Sequence, residues 1–290
     1  MKKFLLILAA GLLTLTACAP TPPATADGPS VEEIVAATMQ ALTAAAPPPT
    51  STQPADGMAV SFQHVSLVMP NGLATNVLAG SVPAVNMPDD GPIMANAPEH
   101  VKFEFDNYAL YNTFHDAQIL VFPAQEYAAM NEGAAANIAK LQAIINGTAA
   151  ANAGNLPHIT TFNAAQVFAA QIQKVKFANG SGVRFLTEYA QYVATANNSY
   201  LFYNFQGLTD DGKYYILAIL PVSHSLLAYD EKPDTVIPEG GIPFPGYDNP
   251  DAITPYYDNV VILLDQQAAN SFMPTLTSLD RLIESITIAP

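Results

Sequence analysis

The sequence predicts an α+β fold, an antiparallel β-sheet flanked by helices, and three observations lead there. Four apolar and aromatic runs between residues 170 and 222 are separated by short turn-forming pairs, a spacing that favours an antiparallel meander over parallel crossover units. Val101, Phe103 and Phe105 alternate with Lys102, Glu104 and Asp106, the mark of a strand with one wet face. Beyond residue 57, helical periodicity is confined to residues 123–145 and 257–283, so helices do not alternate with each strand.

Taken in order, the chain opens with Met1-Lys2-Lys3 and an apolar stretch over residues 4–16, a basic head and short core of the kind that directs secretion. The core is too short to span a bilayer as a helix. Leu15-Thr16-Ala17-Cys18 resembles a bacterial lipobox with all four positions filled, which implies cleavage after residue 17 and lipidation of Cys18. Residues 1–17 are then a lipoprotein signal peptide. Residues 18–57 form the lipidated cysteine and an Ala/Pro/Thr-rich tether, and residues 58–290 a single globular domain. Proline-rich tethers are semi-extended at about 3 Å per residue. Within this one, Ser30 to Glu33 reads as a capping box before a short helical stripe ending at Leu42.

The domain is expected to begin with a strand over residues 60–68 and a turn at Pro70-Asn71-Gly72. After the 101–106 strand comes an apolar run over residues 117–122. Pro123 then starts a helix carried by Tyr127, Met130, Ile138, Leu141, Ile144 and Ile145 to a stop at Asn146-Gly147. The meander follows: residues 170–177, a Gly/Ser turn at 179–182, residues 183–193, Asn197-Asn198, residues 200–208, Asp210-Asp211-Gly212 and residues 214–222. Helices over residues 257–264 and 276–283, parted at Pro274, close the chain.

Composition excludes several functions. Cleavage would remove Lys2 and Lys3 from ten basic side chains and none of the 25 acidic ones. Nucleic acid is therefore not an expected partner, since phosphate binding needs clustered Lys and Arg. Attachment to the membrane is expected to be covalent, through two or more acyl chains on Cys18. Cys18 is the only cysteine, which removes disulfides, thiolate zinc sites and cysteine nucleophiles from the domain.

No arrangement of residues signals catalysis, a cofactor or a metal. The five histidines, His64, His100, His115, His158 and His224, lack the spacing that puts two imidazoles on one ion, and His115-Asp116 is the nearest to an orienting pair. Ser223-His224-Ser225 and Gly180-Ser181-Gly182 fall outside a nucleophile elbow. Glu104, Asp106 and Glu188 lie on expected strands, where solvated sheet faces are their ordinary setting. The dense aromatics Tyr189, Tyr192, Tyr200, Phe202, Tyr203, Phe205, Tyr214 and Tyr215 should divide between core packing and a ligand platform. The longest aperiodic segment, residues 229–256, carries Asp230, Glu231, Asp234, Glu239, Asp248 and Asp251 beside Phe244 and Tyr247, and these eight residues form the candidate binding loop.

The runs Asn179 to Thr187, Phe202 to Leu208 and Tyr214 to Pro221, with the ending Phe272-Met273-Pro274, Leu279-Asp280 and Ile283 to Ile286, resemble the central sheet and closing helix of PsbP-like and LpqN-like lipoproteins. That resemblance implies an α/β/α sandwich and a non-enzymatic accessory or assembly role. The expected function is a lipid-anchored module on the extracytoplasmic face of the cell membrane that binds a protein or small molecule. The alternatives are an envelope hydrolase using dispersed carboxylates and a structural surface spacer.

Overall fold

The computed structural model describes residues 57–88, 95–232 and 234–289. The signal segment, Cys18 and nearly all of the tether lie outside the described residues.

The fold is α+β. Its centre is a seven-stranded sheet of β3 (Asn76–Val82), β4 (His100–Asp106), β5 (Gln118–Pro123), β7 (Ala170–Phe177), β8 (Gly180–Thr187), β10 (Phe202–Thr209) and β11 (Tyr214–Pro221), in the order β3-β4-β5-β11-β10-β8-β7. Every neighbouring pair is antiparallel. β10 lies deep within the sheet and is buried along its whole length, because its neighbours β8 and β11 cover both edges and packed layers cover both faces. The meander β7-β8-β10-β11 is the one its turn residues predict, with Gly212 at φ +70° in the Asp-Gly turn.

Side-chain alternation divides the core in two. Tyr215, Leu217 and Ile219 of β11 face one layer, with Phe185 and Phe202, under α1 (Ala124–Met130) and α2 (Glu132–Ile145). Ile216, Ala218 and Leu220 face the other, with Tyr203 and Phe205, under α3 (Ile253–Asp265) and α4 (Leu276–Glu284). The second layer is completed by a small sheet of β1 (Gly57–Phe62), β2 (Val65–Pro70) and β12 (Thr287–Ile288). A two-stranded ladder pairs β6 (Ala165–Gln166) with β9 (Tyr189–Ala190).

Three expectations need correction. The first strand is a hairpin, β1 and β2, that turns at Gln63-His64 with Gln63 at φ +51°. The helix after Pro123 is two helices. Asn131, extended at φ −144°, ends the first, and its side chain accepts from Ala134 N at 3.1 Å to cap the second. β8 begins at Gly180 and stops at Thr187, so Gly180-Ser181-Gly182 belongs to a strand rather than the turn.

Its place in the strand leaves Gly182 no room for a side chain. Gly182 faces Gly207 across β8 and β10. A Cβ on Gly182 would overlap the Gln206 carbonyl and sit 2.6 Å from Gly207 Cα, backbone atoms that cannot swing away. Gly182→Ala should therefore lower unfolding free energy by about 3 kcal/mol, the upper part of the overpacking range, in denaturant titration.

Candidate functional site

A cavity of about 460 Å³ lies where three loops meet the end of β8. Each loop is held by identifiable bonds. Phe114 N donates to Ser199 O at 2.8 Å, and Ser199 Oγ donates to Asn112 O at 3.2 Å, fixing residues 112–115 against the chain leading into β10. Val167 N donates to Glu188 O at 2.9 Å and Gln191 Nε2 to Asn163 O at 2.6 Å, tying residues 163–167 to residues 188–191. From α3, the Tyr256 hydroxyl accepts from Ala196 N at 2.9 Å, and the Tyr257 hydroxyl donates to Ala194 O at 2.7 Å.

Asn197, only 2% exposed, organises the remaining loop. Its Oδ1 accepts from Ser199 N at 3.0 Å and Tyr200 N at 3.1 Å, and its Nδ2 donates to Thr195 O at 2.9 Å. Its backbone N donates to Glu188 Oε1 at 2.7 Å. One asparagine therefore both shapes the turn that presents Tyr200 and fixes the carboxyl at the base of the cavity.

The walls are aromatic. Phe114, Phe162, Tyr189, Tyr192 and Tyr200 line the cavity with His115. Phe114 stacks on Tyr200 at 4.7 Å between ring centres, and His115 lies parallel to Phe162 at 4.8 Å with its faces and edges closed by Phe114 and Phe202. Among the described residues the buried Nε2 of His115 has no hydrogen-bond partner. Desolvation pushes this imidazole down to about 4 against a smaller opposing effect of Asp116, so it is neutral at physiological pH. Burial likewise raises the Tyr189 phenol to about 12, with its oxygen accepting from Ile159 N.

Among the described residues, Glu188 and Glu231 are the Asp or Glu side chains lining the cavity, and no Lys or Arg lines it. Glu188 is 5% exposed, which corrects its expected place on a solvated face. It follows Phe185-Leu186-Thr187 at the end of a fully enclosed strand, where two packed layers shut out water. Burial raises its carboxyl to about 8. The bond from Asn197 opposes that shift, and Glu231 adds to it. At neutral pH Glu188 keeps its proton. It is a neutral acid able to donate as well as accept.

Of the eight candidate loop residues, Glu231 reaches the cavity, and Asp230 sits on the adjoining groove paired with Lys232 at 2.6 Å. Phe244 packs its edge against Tyr256, 5.4 Å between centres, and Tyr247 lies 5.3 Å from Phe244, so these rings fasten the loop to α3. Asp234, Glu239, Asp248 and Asp251 are exposed and are not among the lining residues. Glu104 pairs with Lys102 at 2.5 Å on the exposed face of β4, and Asp106 is exposed at its end. Among the described residues no three His, Cys, Asp or Glu side chains are grouped to hold a metal ion. The residues missed by sequence reasoning, Phe114, Phe162 and Asn197, stand in segments without periodicity. The one available signal was an acid placed directly after an apolar strand end.

No family model, no curated protein and no solved structure matches the chain.

Proposed function

We propose that this protein is a lipid-anchored, extracytoplasmic binding module whose domain holds a small organic ligand in the cavity around Glu188. The observation that carries the reading is an aromatic-walled cavity with a proton-bearing acid, Glu188, in its lining. The lipobox-like Leu15 to Cys18 and the tether supply the location. The layering of helices over both sheet faces supports the PsbP-like α/β/α arrangement as part of the same proposal.

The test is a thermal-shift screen of small organic molecules on the full-length protein and on Ala190→Trp, which places an indole in the cavity wall. Ligands that raise the wild-type Tm and leave the variant unmoved are expected. A screen without stabilising compounds, or one whose hits act equally on the variant, would contradict the reading.

One observation favours a second reading. Glu188 and Glu231 share a cleft, and a carboxyl held protonated beside a second carboxylate is the pairing that glycoside hydrolysis uses. Under that reading the screen's hits would be turned over, and Glu188→Gln would stop turnover while retaining binding.

A further inference from the structure

We propose that the ligand of this cavity is an organic cation, a quaternary or alkylated ammonium group seated against the aromatic rings with Glu188 as its counter-charge. This inference rests on the binding reading above and narrows it to one chemical class.

The geometry argues for charge of one sign. Phe114, Phe162, Tyr189, Tyr192 and Tyr200 line a single space, and the negative faces of aromatic rings attract ammonium groups carrying apolar substituents. Glu188 and Glu231 supply the carboxyls of the lining, and among the described residues no Lys or Arg lines the cavity to compensate an anionic guest. Lys232, the nearest lysine in sequence, is turned to Asp230 at 2.6 Å. His115 is neutral and so does not compete for the site. The chain's net charge of −15 draws cations toward the domain.

A cation entering this space changes the balance at Glu188. The groups that face or electrically sense this carboxyl are Glu231 from the following loop, His115 from the 112–115 loop, Tyr192 and Tyr200 from the segment before β10, and Tyr256 and Tyr257 from α3. None of them is a cation at neutral pH. An arriving ammonium is then the first positive charge beside the acid, and it favours loss of the Glu188 proton to solvent. Binding and proton release are coupled: affinity should rise with pH through neutrality and level off above about 8.

The experiment is calorimetric titration of the full-length protein with choline chloride and with 3,3-dimethyl-1-butanol, its uncharged carbon counterpart. Each titration is run in two buffers of different ionisation enthalpy. Choline is expected to bind about tenfold more tightly than the alcohol. It should release about one proton per site at pH 7. Glu188→Gln should remove the proton release and most of the preference for choline. Ala190→Trp should block both compounds. Equal or tighter binding of the alcohol would overturn the cationic assignment and leave the cavity as a site for neutral guests. Failure of both to bind would also overturn the assignment, and the wider screen then decides the binding reading separately.

Discussion

Arg184→Ala should cost the domain about 4 kcal/mol of unfolding free energy, the range found when one member of a buried ion pair is removed. Arg184 is 3% exposed on β8, in the layer under α3 and α4. Its guanidinium donates to the Gln171 carbonyl, which lies at a break in the β7–β8 register, and to Gln173 Oε1 at 2.6 Å. Its Nε lies 3.3 Å from Asp280 Oδ1 on α4, and the Tyr203 hydroxyl donates to that same oxygen at 2.8 Å. One side chain thus joins an irregular edge strand, a central strand and the closing helix. Truncation leaves a carbonyl and an amide oxygen without their donor, and a partly buried carboxylate without its counter-charge. Denaturant unfolding would measure the loss. A double-mutant cycle with Asp280→Ala should show coupling, because removing the carboxylate relieves part of the damage. A loss for Arg184→Ala below about 1 kcal/mol, typical of an exposed pair, would contradict this account.

The second large effect concerns pH. In the unfolded chain Glu188 titrates near 4.5, whereas in the fold burial raises it to about 8. The native state therefore binds the proton more tightly. This favourable contribution is fully present below 4.5 and is lost progressively as pH rises through about 8. Across that window the fold should lose about 5 kcal/mol through this one group. Glu188→Gln keeps an acceptor for Asn197 N without an ionisable proton, so its stability should hold level where the wild type declines. His115 acts in the opposite sense. Its native value is lowered from 6.5 to about 4, so the unfolded chain takes up the proton first, and stability present above 6.5 is lost as pH falls toward 4. Unfolding titrations at pH 5, 7 and 9 separate the two, since Glu188→Gln should flatten the alkaline limb alone. A wild-type curve with no alkaline decline that Glu188→Gln removes would contradict the burial argument.

The legible and hidden parts of this molecule differ for physical reasons. The meander was readable because Asp211-Gly212 encodes a tight turn and the flanking strands are rich in β-branched and aromatic residues. β3 was not, because Leu78-Ala79-Gly80-Ser81 has little strand propensity and forms by pairing with β4. The β1–β2 turn was hidden because Gln63 takes a positive φ usually left to Gly, Asn or Asp. The cavity is a tertiary feature. Phe114, Phe162 and Glu188 are far apart along the chain, and they converge only because β5, β8 and β10 are neighbours or near neighbours in the sheet. Tyr189, Tyr192 and Tyr200 were readable as a platform, yet periodicity could not show that the same loop buries an acid beside them. The candidate loop at residues 229–256 was found by its length, but its contribution to the cavity is Glu231, while Phe244 is spent on packing.

The central claim is that Glu188 sits in an aromatic cavity with its proton retained at neutral pH in the unliganded protein. Carbon-13 NMR of the glutamate side-chain carboxyls, with Glu188→Gln to assign the resonance, follows that proton directly. The account predicts a single Glu188 transition centred near 8 in the unliganded protein. A transition in the ordinary range near 4.5 would mean a solvated carboxylate and would contradict it.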